Sequence, residues 1–113
     1  MKTYVICWEN INYPKEGEEL DTTFSVIKKS FGSKMAAFEY LKTEEIPIAL
    51  EQLKVEYSDV IGMSEEELSI ESGVYYEDKF LQAEINVYFN EEIVESIGYK
   101  IVETELQMAT LIN

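Results

Sequence analysis

The sequence predicts an α+β domain: a small antiparallel or mixed β-sheet of about four or five strands with two short helices packed on one face. Three features lead there. Segments rich in β-branched and aromatic residues flank a central pair of helical patterns, in the order strand, strand, helix, helix, strand, strand. Residues 81 to 89 alternate apolar and polar types without a break. Between positions 33 and 57 the apolar residues recur instead at helical spacing.

The opening strand is expected over residues 2 to 9, where Tyr4-Val5-Ile6-Cys7-Trp8 is dense in β-formers. The polar stretch Asn10 to Asp21, holding Pro14 and Gly17, reads as a charged loop. Residues 22 to 29, with Phe24 and Val26 in alternation, form a second strand able to pair with the first. Ser33 is the natural N-cap of a helix carrying Met35, Phe38 and Leu41 through Lys42. A second helix follows from Thr43 as cap, Pro47 near its start, and Ile46, Leu50, Leu53 and Tyr57 on one stripe. Ser64 and Glu67 have capping-box spacing, enough for a turn or two. A strand over 70 to 76 is interrupted by Gly73. In the strand 81 to 89, Leu81, Ala83, Ile85, Val87 and Phe89 mark the packed face, and residues 99 to 106 offer it a partner across a connection at Asn90 to Gly98.

One domain fits a chain of 113 residues, with no repeat or linker to divide it. Its formal charge of −14 is uneven. Residues 1 to 56 hold ten acids and seven lysines, a net −3, whereas residues 57 to 113 hold thirteen acids with only Lys79 and Lys100, a net −11. All nine cations are lysines, and histidine is absent. Without arginine or histidine, arginine-finger phosphoryl transfer, Ser-His-Asp hydrolysis and histidine-ligated zinc are excluded within this chain. Such a charge also speaks against direct contact with nucleic acid.

Other chemistries find little support. Glu91 with Glu92, or Glu103 with Glu105, pair carboxylates in sequence, but acid–base work needs one of them desolvated. The acids from Asp59 to Glu67 and the pair Glu77-Asp78 lack EF-hand spacing. Phe31-Gly32-Ser33-Lys34 is too short for a phosphate-binding loop and reads as a helix cap. No cofactor or metal is expected. Cys7, the single cysteine, sits in an apolar run and suits a reducing cytoplasm. The short apolar stretch at the start is too brief for a signal peptide, and no window approaches a membrane span.

The acids themselves are the remaining feature. Alternate strand residues lie about 6.6 Å apart, close to the spacing of successive phosphates on a nucleic-acid strand. Glu103 and Glu105 have that spacing, and Glu77, Asp78, Glu84, Glu91, Glu92 and Glu95 would extend the row if the sheet brought them together. Tyr88 and Tyr99 lie among them as aromatic anchors for an interface. These ten residues form the expected partner-binding surface. They lead to the expectation of a non-enzymatic, stoichiometric inhibitor that occludes the basic, nucleic-acid-binding surface of a partner such as a nuclease. Phage and mobile-element proteins acting against CRISPR nucleases or restriction enzymes share this general character, as do immunity proteins of nuclease toxins. The alternative is an acidic interaction domain acting through homo-oligomerisation, with Ile93, Val94 and Ile97 exposed in the connecting segment.

Overall fold

The computed structural model describes residues 2–13, 19, 21–62, 64 and 66–105. Five antiparallel strands form one sheet: β1 (Lys2–Asn12), β2 (Asp21–Phe31), β3 (Leu68–Val74), β4 (Ala83–Phe89) and β5 (Glu92–Glu105). Their order is β2-β1-β5-β4-β3, which leaves β2 and β3 as the two edges. A helical segment between β2 and β3 packs on one face, so the fold is α+β as the residue pattern predicts.

The two short helices of the sequence reading are one continuous run. Its parts are α1 (Lys34–Tyr40), a π-helical stretch at Leu41–Glu45, α2 (Ile46–Val55) and a second π-helical stretch at Glu56–Val60. At about 1.5 Å per residue the run is about 40 Å long. Ser33 caps it, its Oγ accepting the Ala36 N–H at 3.1 Å. Thr43 does not cap a second helix; its hydroxyl donates to the Glu39 carbonyl one turn back, at 2.7 Å. Pro47 lacks an N–H and would press its ring on the carbonyl four residues earlier. The π-turn just before it absorbs that conflict, with the Ile46 N–H reaching back to the Leu41 carbonyl. The same wide turn keeps the apolar stripe aligned, since Phe38 before it, Leu41 at its first position, and Ile46, Leu53 and Tyr57 after it are all buried.

Opposite this stripe, the inward face of the sheet supplies Ile6, Ala83, Ile85, Val87, Ile97, Tyr99 and Ile101. The alternation of β4 is as the sequence predicts. The connection at 90 to 98 is not: Asn90 and Glu91 alone make the turn, and β5 begins at Glu92. Ile97 is buried and Val94 half-buried, so the exposed apolar loop of the homo-oligomer alternative is absent. β3 likewise starts at Leu68 and ends at Val74, two residues earlier than expected at each end. Among the described residues, no helix is long and apolar enough to cross a membrane.

Candidate interaction surface

The helix covers one face of the sheet, and among the described residues no second helical layer covers the other. Strand alternation assigns Val5, Cys7, Glu9 and Ile11 of β1 to that open face. The inter-strand register then sets residues side by side. Phe24 of β2 lies opposite Glu9, Glu9 opposite Gly98 of β5, Gly98 opposite Glu84 of β4, and Glu84 opposite Gly73 of β3. A row Phe-Glu-Gly-Glu-Gly therefore crosses all five strands. With strands about 4.8 Å apart, the Glu9 and Glu84 backbones stand about 10 Å from each other across Gly98.

The two glycines of the row differ. A Cβ at Gly73 would collide with the ring of Tyr75, which folds over it and donates its hydroxyl to Glu84 at 3.0 Å. That aromatic cover explains the glycine. At Gly98 a Cβ would meet only Leu81 Cδ2 at 3.8 Å, an ordinary contact, and the backbone is not left-handed. Glycine inside a strand costs about 0.5–1 kcal/mol relative to alanine, and nothing among the described residues requires it here. Its effect is to leave a recess of about 360 Å³ over β5, walled by Phe24 on one side and by Phe80 and Leu81 on the other.

The loop between β3 and β4 holds the second wall in place. Asp78 Oδ1 accepts the N–H groups of Phe80 at 2.7 Å and Leu81 at 3.1 Å, and these bonds hold its carboxyl below the ordinary value. Gln82 is buried beneath, bridging from its Nε2 to the Asp78 carbonyl and from its Oε1 to the Ile101 N–H. Phe24 and Phe80 are nevertheless 70% and 82% exposed, the two most exposed large apolar side chains among the described residues. Cys7, half-buried on the open face, lines the same recess.

The ten residues singled out from the sequence do not form one row. Glu103 and Glu105 share a face at the end of β5, where Lys2 pairs with Glu103 at 3.2 Å and neutralises part of the charge. Glu91 and Glu92 lie at the opposite end of that strand, at the turn. Glu84 is on the open face, and Glu77 and Asp78 are in the loop beside it. Glu95 points inward instead. It is 7% exposed, taking the Tyr57 hydroxyl at 2.5 Å on Oε1 and Asn10 Nδ2 at 2.5 Å on Oε2. Tyr99 is 2% exposed under the helix, its hydroxyl pKa raised by desolvation and then by Glu45. Glu95 and Tyr99 are therefore core residues, withdrawn from any partner.

A second, acidic cleft lies at the turn end of the sheet, where Glu66, Glu67, Glu71 and Glu91 surround Tyr88. It brings together two of the ten predicted residues, Tyr88 and Glu91. Asn90 and Glu91 both have positive φ, 51° and 69°, as a two-residue hairpin turn demands. The sequence reading missed Glu9, Phe24, Phe80 and Gly98 as site residues. Gly98 reads in the sequence as the end of a connection; only inside β5 does it stand out as a strand glycine with no turn to justify it.

No protein-family model matches the chain, and no curated protein or solved structure matches it significantly. Among the described residues, no group of three or more histidine, cysteine or acidic side chains is arranged to hold a metal ion.

Proposed function

We propose that this chain is a non-enzymatic, stoichiometric inhibitor that occludes the basic, nucleic-acid-binding surface of a partner protein, working in the cytoplasm. A CRISPR or restriction nuclease countered by a phage or mobile element, or a nuclease toxin countered by its immunity protein, is the kind of partner meant. The observation that carries this reading is the open sheet face, where exposed Phe24 and Phe80 stand beside Glu9 and Glu84 in a chain of net charge −14. Interfaces are anchored by aromatics in their centre, while surrounding charge steers encounter and selects the partner's sign. The acids at the two ends of the sheet supply such a surround, with Glu66, Glu67 and Glu91 at one end and Glu105 at the other.

Capture on the immobilised chain from an extract rich in nucleic-acid-binding proteins, at about 50 and then about 500 mM salt, tests this. A basic partner held at low salt and weakened at high salt supports the reading. A retained set with no basic protein in it at either salt removes it.

Homo-oligomerisation is a second reading, and β2 favours it. This eleven-residue edge strand has an uncharged centre, Thr22 to Ile27, and shows Phe24 and Val26 to solvent. Such an edge is a template for pairing with another copy. A solution mass of twice 13.1 kDa at micromolar concentration is its signature.

A further inference from the structure

Resting on the reading above, we propose that the recess over Gly98 is a receptor for one basic side chain of the partner protein, an arginine or a lysine. The cationic head sits between Glu9 and Glu84, and Phe24 and Phe80 wall the recess on either side.

Gly73 and Gly98 occupy equivalent places either side of Glu84 in one row of the sheet. At Gly73 the missing side chain is replaced from within the protein, by the Tyr75 ring hydrogen-bonded to Glu84. At Gly98 the same room is left open, and an occupant would lie against the other flank of Glu84 and against Glu9. Two glutamates whose backbones stand about 10 Å apart across a strand leave space for a planar guanidinium or an ammonium between them. A carboxylate pair with no ion-pair partner among the described residues attracts a cation, and the faces of Phe24 and Phe80 add cation–π attraction for it.

Both acids are half-buried, and neither is within ion-pair distance of a described lysine. Lys100, two residues along β5 on the same face, lines one end of the recess and offsets one of the two negative charges. Ser96 and Asn86 line the other end with neutral groups. The basic head therefore enters from the Ser96 end. Its aliphatic stem then trails back over Ser96, with Ile11 and Asn86 on either side, and an extended partner segment lies along the trough.

The test uses a three-residue peptide, acetyl-Thr-Arg-Thr-amide, titrated into the ¹⁵N-labelled full chain and followed by amide chemical shifts. The citrulline peptide serves as the neutral isostere. The expected result is saturable shifts centred on Glu9, Glu84 and Gly98, weakened about tenfold or more by citrulline, as loss of a charge-assisted pair implies. Gly98→Val fills the recess and abolishes the shifts; a Cβ there meets only the flexible end of Leu81, at 3.8 Å, and an unchanged thermal midpoint checks that the γ-methyls leave the fold intact. Glu9→Gln and Glu84→Gln each weaken binding several-fold.

The proposal is overturned if the arginine peptide gives no saturable shifts or binds no better than citrulline. It is also overturned if the shifts follow the acids at Glu66, Glu67 and Glu91 and persist in Gly98→Val. Capture separates this from the broader reading. If Gly98→Val retains the same basic protein as the wild type, the receptor falls and the inhibitor reading stands. If the wild type retains no basic protein, the inhibitor reading falls by itself, and the peptide titration still decides the receptor.

Discussion

Glu95 gives the sharpest quantitative prediction, because its surroundings are fully specified. It is buried between the helix and the sheet with one donor on each oxygen, Tyr57 on Oε1 and Asn10 on Oε2. Asn10 is itself oriented by Asn12, whose Nδ2 donates to Asn10 Oδ1 at 2.9 Å. Tyr57→Phe removes one hydroxyl and keeps the ring, so no cavity opens and the loss is that of one hydrogen bond to a buried charged group, about 1.5–3 kcal/mol. With Asn10 still in place, a value near 2 kcal/mol is expected. For a chain of this length the unfolding entropy is about 0.24 kcal/mol/K, so the thermal midpoint falls by about 8 °C. Thermal and urea unfolding followed by circular dichroism measure both quantities. A double-mutant cycle with Glu95→Gln should return a coupling of about 1 kcal/mol or more, since the two side chains touch. A loss under about 0.5 kcal/mol with no coupling would refute this account of how the helix is fastened to β5.

Three further outcomes follow from the structure. Glu91 occupies a left-handed turn position that favours glycine, so Glu91→Gly should stabilise by about 0.5–1 kcal/mol in urea unfolding. Glu45 sits partly desolvated, which raises its pKa above 4.5. A carboxyl raised in the folded state favours folding below its unfolded value and loses that contribution as pH rises through the folded value. Glu45→Gln should accordingly be more stable than wild type near neutrality, and the gap should close as pH falls through the raised folded value toward 4.5 in parallel melts. Asp78→Ala frees the N–H groups of Phe80 and Leu81, so it should weaken capture of the basic partner several-fold while leaving the thermal midpoint near that of the wild type. A lost fold, or unchanged capture, would show that Asp78 does not position the aromatic wall.

Much of the fold was legible because its signals are local. The alternation of β4, the Ser33 cap and the apolar stripe of the helix each follow from neighbouring residues, and each is realised. The errors arose where a distant element decides. Thr43 and Pro47 look like a helix start, but packing of the stripe on the sheet favours one long helix with a π-turn over two capped ones. Glu95 faces the core in β5, and its charge masks the inward alternation that continues through Ile97, Tyr99 and Ile101. The segment from Asn90 to Gly98 therefore reads as a loop. The site was less legible still. The spacing of Glu103 and Glu105 was right, but the register of a sheet ordered β2-β1-β5-β4-β3 separates them from Glu84 and Glu91. The row that does form, Phe24, Glu9, Gly98 and Glu84, draws on residues from 9 to 98 and has no contiguous signature.

The central claim is occlusion of a basic surface, and competition tests it most directly. A captured basic partner is loaded with fluorescent nucleic acid, and this chain is added in rising amounts while anisotropy is followed. The account predicts complete displacement at about one chain per binding site, weakening steeply as salt rises from about 50 to about 500 mM. A stable ternary complex that retains the nucleic acid would contradict it.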